Sequence, residues 1–140
     1  MFEHIMVAFD NSNESQKALQ KAFQIAEFHQ SFVELISVVQ LPDYAATTDE
    51  VEEMLSDGKN FYKSIHEQYE AEAKLRGIKF ESKVLHGHIG EALVKYADDN
   101  AIDLIVMGSY GRSAISRFLM GSVSNFVVRR ARCPVMVVKE

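Results

Sequence analysis

Ile102-Asp103-Leu104-Ile105-Val106-Met107-Gly108-Ser109-Tyr110-Gly111-Arg112 passes directly from a β-forming apolar run into a glycine-bounded loop, and Gly121-Ser122 closes that loop ten residues after Gly111. Glycines leave backbone N–H groups uncovered and permit φ > 0, so a loop that leaves a strand and feeds a helix can close around an anion. The stretch predicts a strand over 102–107, a phosphate cradle after it, and a bound phosphoester.

Outward from this stretch the chain alternates strand and helix. Residues 5–9 are a nearly continuous apolar run, as in a strand covered on both faces, and the run ends at Asp10. Ser12 or Asn13 can cap a first helix with Ala18, Leu19, Ala22, Ile25, Ala26 and His29 on its inner side. A second strand is expected over 32–39 and is stopped by Pro42, with 40–48 as the candidate mobile loop. Residues 50–76 carry a helical stripe of Met54, Phe61, Ile65, Tyr69 and Ala73, in which Gly58 is a weak point and Gly77 a C-terminal cap. A third strand over 79–85 follows, then a helix over 89–98 with Leu93, Val94 and Ala97 inward. After the glycine loop, Val123, Phe126, Val127 and Ala131 mark a helix over 123–132, and Val135-Met136-Val137-Val138 reads as a fifth strand.

Strict β-α alternation implies an α/β fold with parallel strands, right-handed crossovers and helices on both faces. Two halves wound in opposite directions from the first strand give an open, twisted, Rossmann-like five-stranded sheet in the order 3-2-1-4-5. Ligands of such sheets bind at the carboxyl ends of the strands where the winding reverses, here between strands 1 and 4. Asp10 ends one of those strands and Gly108 the other, so two signals distant in sequence converge on one crevice.

Composition sets bounds. A chain of 140 residues with 47% hydrophobic residues has enough material for one core, so residues 1–140 are read as one domain. A net charge of -5, from 15 Lys+Arg against 20 Asp+Glu, works against nucleic-acid binding. The basic cluster Arg129-Arg130 with Arg132 suits the last turn of a helix. Cys133 is the only cysteine, which excludes an internal disulfide, fits a cytoplasmic setting, and suits a small buried thiol better than a nucleophile. The N-terminus carries neither a basic region nor a long apolar segment, so no signal peptide or membrane span is expected. His86-Gly87-His88 lacks the further ligands a metal site needs. No Walker lysine follows the glycines and no G-x-G-x-x-G follows the first strand, which argues against a P-loop motor and a dinucleotide dehydrogenase.

The spacing Gly108-x2-Gly111-x9-Gly121-Ser122, the opening Ile5-Met6-Val7-Ala8-Phe9-Asp10-Asn11-Ser12-x2-Ser15 and the closing run from Ala131 to Val138 resemble the universal stress protein family, whose fold is that of the adenine nucleotide alpha hydrolases. The resemblance extends from Ile5 to Lys139 and implies the same strand order, ATP binding and a role in stress resistance. It places Asp10 near the adenosine. It also places the end of strand 2, at Val38, against the adenine, with backbone hydrogen bonds to its edge and the side chain on the ring. Gly87 and Met107 match positions that flank the nucleotide. The resemblance further implies a homodimer through the last strands, and a hydrophobic edge strand Val135–Val138 invites such pairing on physical grounds.

Each of these residues also has a plainer reading. Gly108, Gly111 and Gly121 could be turn and cap glycines, Asp10 an N-cap, Ser109 and Ser122 N-caps, Val38 core, and Gly90 an easing of the next helix's entry. In the functional reading, amides around Gly111 and Gly121-Ser122-Val123 point at phosphate oxygens, the Ser122 and Ser124 hydroxyls add donors, and Arg112 and Arg117 counter phosphate charge. Tyr110 departs from the expected pattern and either stacks over the ligand or narrows the pocket.

Three functions fit the sequence. An ATP-binding regulatory module, with Mg²⁺ or Mn²⁺ on the phosphates and an unidentified protein partner, leads because no base for activating water can be placed. A slow ATPase or phosphoryl-transfer enzyme would use Asp10 or a loop residue to position water and Arg112 to stabilise developing charge. A nucleotide-independent protein-binding dimer would use the glycines only as turns.

Overall fold

The computed structural model describes residues 1–42, 44, 46–110 and 120–139. Five parallel strands, β1 (His4–Ala8), β2 (Phe32–Gln40), β3 (Lys79–Gly87), β4 (Leu104–Gly108) and β5 (Val135–Val138), form one sheet in the order β3-β2-β1-β4-β5. Among the described residues four helices alternate with them: α1 (Asn13–His29), α2 (Thr48–Leu75), α3 (Ile89–Asp99) and α4 (Ser122–Arg130).

The period-2 geometry of the strands divides the core in two. Ile5, Val7, Val33, Leu35, Leu104 and Val106 point to the face covered by α1 and α2, where they meet Ala18, Leu19, Ala22, Phe23, Tyr62 and Ala73. Met6, Ala8, Ile36, Ile105 and Met107 point to the other face and meet Leu93, Tyr96, Ala97 and Val127 of α3 and α4. Burial on both faces is why β1 and β4 read as unbroken apolar runs.

The helix stripes differ from the expected ones in instructive places. His29 and Phe61 are exposed, whereas Phe23, Tyr62, His66 and Tyr96 are buried. On α2, Ile65, Tyr69 and Ala73 of the expected stripe pack against the core, and Tyr62 and His66, whose polar atoms hid them from an apolar count, are buried beside them. β4 starts two residues later than expected because Asp103 is used as an anchor: its carboxylate accepts the Glu3 N–H at 2.8 Å and the His4 N–H at 3.1 Å. α4 ends at Arg130, with the basic pair Arg129-Arg130 in its last turn, because Ala131 turns extended ahead of Cys133-Pro134. Cys133 is half-buried, and burial raises its thiol pKa, so it is a weak thiolate former.

The caps follow local chemistry. Ser12, in extended conformation, accepts the Ser15 N–H at 3.2 Å to start α1. At the end of α2, Ile78 N–H bonds the Ala73 carbonyl and Gly77 N–H the Lys74 carbonyl, a Schellman arrangement that needs the left-handed φ of +70° at Gly77.

Candidate functional site

β1 leads through α1 to β2 on one side, and the chain later returns to place β4 on the other side of β1, paired Ile5 to Leu104 and Val7 to Val106. The loops after β1 and β4 therefore diverge to opposite faces and leave a crevice between them. A cavity of about 860 Å³ opens there, within the few hundred to ~1,000 Å³ usual for small-ligand sites.

Asp10, Val38, Met107, Gly108, Gly121, Ser122, Val123 and Ser124, separate in sequence, all line this cavity. Gly111, Arg112 and Arg117 lie outside the described residues. Gly87 and Gly90 are not in the cavity wall. Gly87 ends β3 with φ +128°, and a Cβ on Gly90 would lie 2.6 Å from the Phe126 ring, so backbone conformation and helix packing account for them.

Asp10 leaves β1 into a tight turn. Its Oδ1 accepts the Ser12 N–H at 3.0 Å, and Asn11 adopts φ +65°, steadied by Gln16 Nε2 on its side-chain and backbone oxygens, both at 3.1 Å. The cap of α1 is thus Ser12, and Asp10 shapes the approach to it. Gly108 is required by close approach: a Cβ there would lie 2.6 Å from Glu14 Cβ and 3.0 Å from the Glu14 carbonyl carbon.

Ser109 ties three elements together. Its N–H donates to Val138 at the end of β5, and its carbonyl accepts the Gly121 N–H at 2.7 Å and the Ser124 hydroxyl at 2.7 Å. Ser124's single proton is therefore engaged by the protein. Gly121, with φ −67°, is the N-cap of α4 and offers no side chain to the first-turn amides of Ser122, Val123 and Ser124. Those amides and the helix dipole make the start of α4 the anion-attracting end of the cavity.

The remaining wall is apolar, with Ile36, Val38, Val39, Phe61, Ile89, Leu93 and Met107. Asp10 and Asp57 are its two carboxylates, and no Lys or Arg stands among the described lining residues. Ser109 Oγ and the Tyr110 hydroxyl, also in the wall, are buried and have no hydrogen-bond partner among the described residues. A buried hydroxyl without a partner costs ~1–3 kcal/mol. Asp57, Gly58, Phe61 and Tyr62 of α2 belong to the wall and were missed by the sequence reading. The one signal was the mid-helix glycine: a Cβ on Gly58 would lie 2.2 Å from Val39 Cγ2.

The fold and the crevice define a doubly wound α/β protein with a cavity at its switch point. The universal stress protein family model matches residues 1–139, and the chain belongs to that family. It is 30% identical to a universal stress protein of Methanocaldococcus jannaschii, over 100% of this chain and 84% of the relative. It superposes on universal stress protein UspA from Lactobacillus plantarum with a TM-score of 0.91 at 27% identity, covering 99% of this chain and 98% of that one. A universal stress protein solved in complex with cAMP gives a TM-score of 0.72 at 27% identity, covering 97% and 96% of the two chains. Among the described residues no helix is long and apolar enough to cross a membrane.

Proposed function

We propose that this protein is an ATP-binding regulatory module of the universal stress protein family, with the nucleotide in the crevice between β1 and β4. The observation that carries the reading is the junction of the two ends of the cavity: the start of α4, whose N-cap Gly121 brings no side chain to the first-turn amides, at one end and a large apolar wall at the other. An anion with a flat apolar body matches both. The family's cAMP complex supports an adenine nucleotide as that ligand.

In this reading the amides of Ser122 and Val123 receive phosphate oxygens, Asp10 takes the ribose, and Val38 and Met107 hold the base. By family resemblance Gly111 completes the phosphate end, and Arg112 counters the phosphate charge. The hydroxyls of Ser109 and Tyr110 find the acceptors they lack. Among the described residues no three His, Cys, Asp or Glu side chains gather into a metal site. A divalent cation, Mg²⁺ or Mn²⁺, would therefore come with the phosphates, where it offsets the charge that Asp10 and Asp57 share with them. Binding without rapid turnover is the behaviour this reading expects.

The edge strand β5 supports a homodimer. Its outer side has no neighbour among the described strands, and Met136 is exposed beside half-buried Val135, Val137 and Val138. A second copy pairing along β5 would cover this edge.

Calorimetric titration of the purified protein with ATP, GTP and adenosine, each with and without Mg²⁺, tests the proposal. Tight binding of ATP with weaker binding of adenosine and GTP is expected. Equal binding of ATP and adenosine would remove the phosphate end from the reading, and ADP accumulating over repeated turnovers would favour the enzyme.

A further inference from the structure

Behind the cavity lies a buried hydrogen-bonded chain that none of the roles above uses. Ser37 of β2 and His66 of α2 are both buried, at 1% and 5% exposure. The Ser37 hydroxyl donates to the Phe9 carbonyl at 2.7 Å, and His66 Nε2 lies 2.8 Å from the same hydroxyl oxygen. A hydroxyl has one proton. Ser37 spends it on Phe9, so the bond to His66 must run the other way, with an Nε2–H of the ring donating to Ser37. Burial holds His66 neutral by lowering its pKa to about 4. The neutral ring has one N–H, and this geometry fixes the tautomer.

The chain ends where the site begins. Phe9 is one residue past β1; its N–H bonds the Ile36 carbonyl at 2.9 Å, and its carbonyl, beyond the regular β1–β2 ladder, is met by Ser37. Phe9 is thereby held through both its N–H and its carbonyl, and the Phe9–Asp10 peptide through that carbonyl, immediately before the Asp10 turn. His66 also contacts the rings of two cavity-wall residues, Phe9 at 6.1 Å and Tyr62 at 5.5 Å between centroids. We infer that His66 and Ser37 are positioning residues for the nucleotide site: they lock the Phe9–Asp10 peptide to α2, so that the Asp10 turn and the α2 wall are set as one unit.

The inference rests on the crevice being the nucleotide site. The test uses the full chain with ATP and Mg²⁺ as the probe, and compares wild type with Ser37→Ala, Ser37→Thr, His66→Phe and His66→Gln. Two readouts are taken: ATP affinity by calorimetry, and amide hydrogen exchange at Asp10 and Asn11 without nucleotide. Ser37→Ala and His66→Phe are expected to weaken ATP binding by roughly tenfold, the worth of one well-made hydrogen bond, and to speed exchange at the Asp10 turn. Ser37→Thr keeps the hydroxyl and His66→Gln keeps an N–H donor, so both are expected to recover most of each effect. If the variants fold and retain wild-type affinity and exchange, the inference is wrong. If wild type fails to bind ATP, the nucleotide reading falls together with the ligand half of this inference. The exchange rates then decide whether the pair holds the turn at all. Should His66→Phe fail to fold, the two Ser37 variants carry the same test, since they leave the ring in place.

Discussion

Gly58 of α2 rests directly on Val39 of β2, so closely that a Cβ on the glycine would lie 2.2 Å from Val39 Cγ2. Both residues line the cavity. The helix that walls the site is therefore seated by contact with the strand end that floors it.

Gly58→Ala sets two effects against each other. Alanine gains ~1 kcal/mol of helix propensity, while a contact this short forces Val39 or the helix to move, at ~1–3 kcal/mol. The overlap wins. A net loss of about 1 kcal/mol and weaker ligand binding are expected, read by thermal unfolding and titration; a variant more stable than wild type would show that Val39 gives way freely.

Gly108→Ala has no such offset, because the obstacle is the Glu14 backbone and Cβ at the start of α1. The first turn of α1 must shift away from β4, and a loss of about 1–3 kcal/mol is expected in denaturant unfolding. A crystal structure of the variant should show that turn displaced. An unmoved helix with unchanged stability contradicts the assignment of Gly108 to close packing.

These two glycines mark how far the sequence could be read. The strand order and the meeting of Asp10 with Gly108 were legible, because apolar runs and β-α alternation leave few topologies open. The reason for Gly108 was not, since it depends on the distance to Glu14, and neither Gly108 nor Gly121 uses a left-handed φ. The α2 wall was misread for a related reason. Ile65, Tyr69 and Ala73 of the expected stripe do pack on the core, but Tyr62 and His66 are buried beside them, His66 against its Ser37 partner on β2, and an apolar count passes over such polar residues.

His66 should leave a signature in acid. Its pKa is about 4 in the fold, against ~6.5 unfolded. The unfolded chain therefore binds the extra proton between these values, and stability falls as pH drops from about 6.5 to about 4, by roughly 3 kcal/mol in all. Denaturant midpoints across this range should show the decline in wild type and a flatter profile in His66→Gln. Parallel profiles would assign the acid sensitivity elsewhere.

A second buried polar group holds the opposite end of the sheet. Glu34 is 3% exposed and takes His4 Nε2 at 2.5 Å and the Tyr96 hydroxyl. Burial first, and then this bond to Glu34, raise the Tyr96 pKa. Glu34→Ala would leave the Tyr96 hydroxyl buried without its acceptor, and a loss of about 3 kcal/mol is expected. Glu34→Gln keeps an acceptor and should lose less. Equal losses in the two variants would mean that side-chain packing, rather than the polar bonds, gives Glu34 its worth.

The central claim is that the crevice between β1 and β4 holds an adenine nucleotide. Mass spectrometry of small molecules released from the purified protein tests it most directly, paired with ATP titration and with Gly121→Val, which puts a side chain at the start of α4. ATP released from wild type, or bound on titration, and lost in the variant is the expected result. No nucleotide released and no ATP bound by wild type would contradict the claim, and would leave the glycines as turns in a protein-binding dimer.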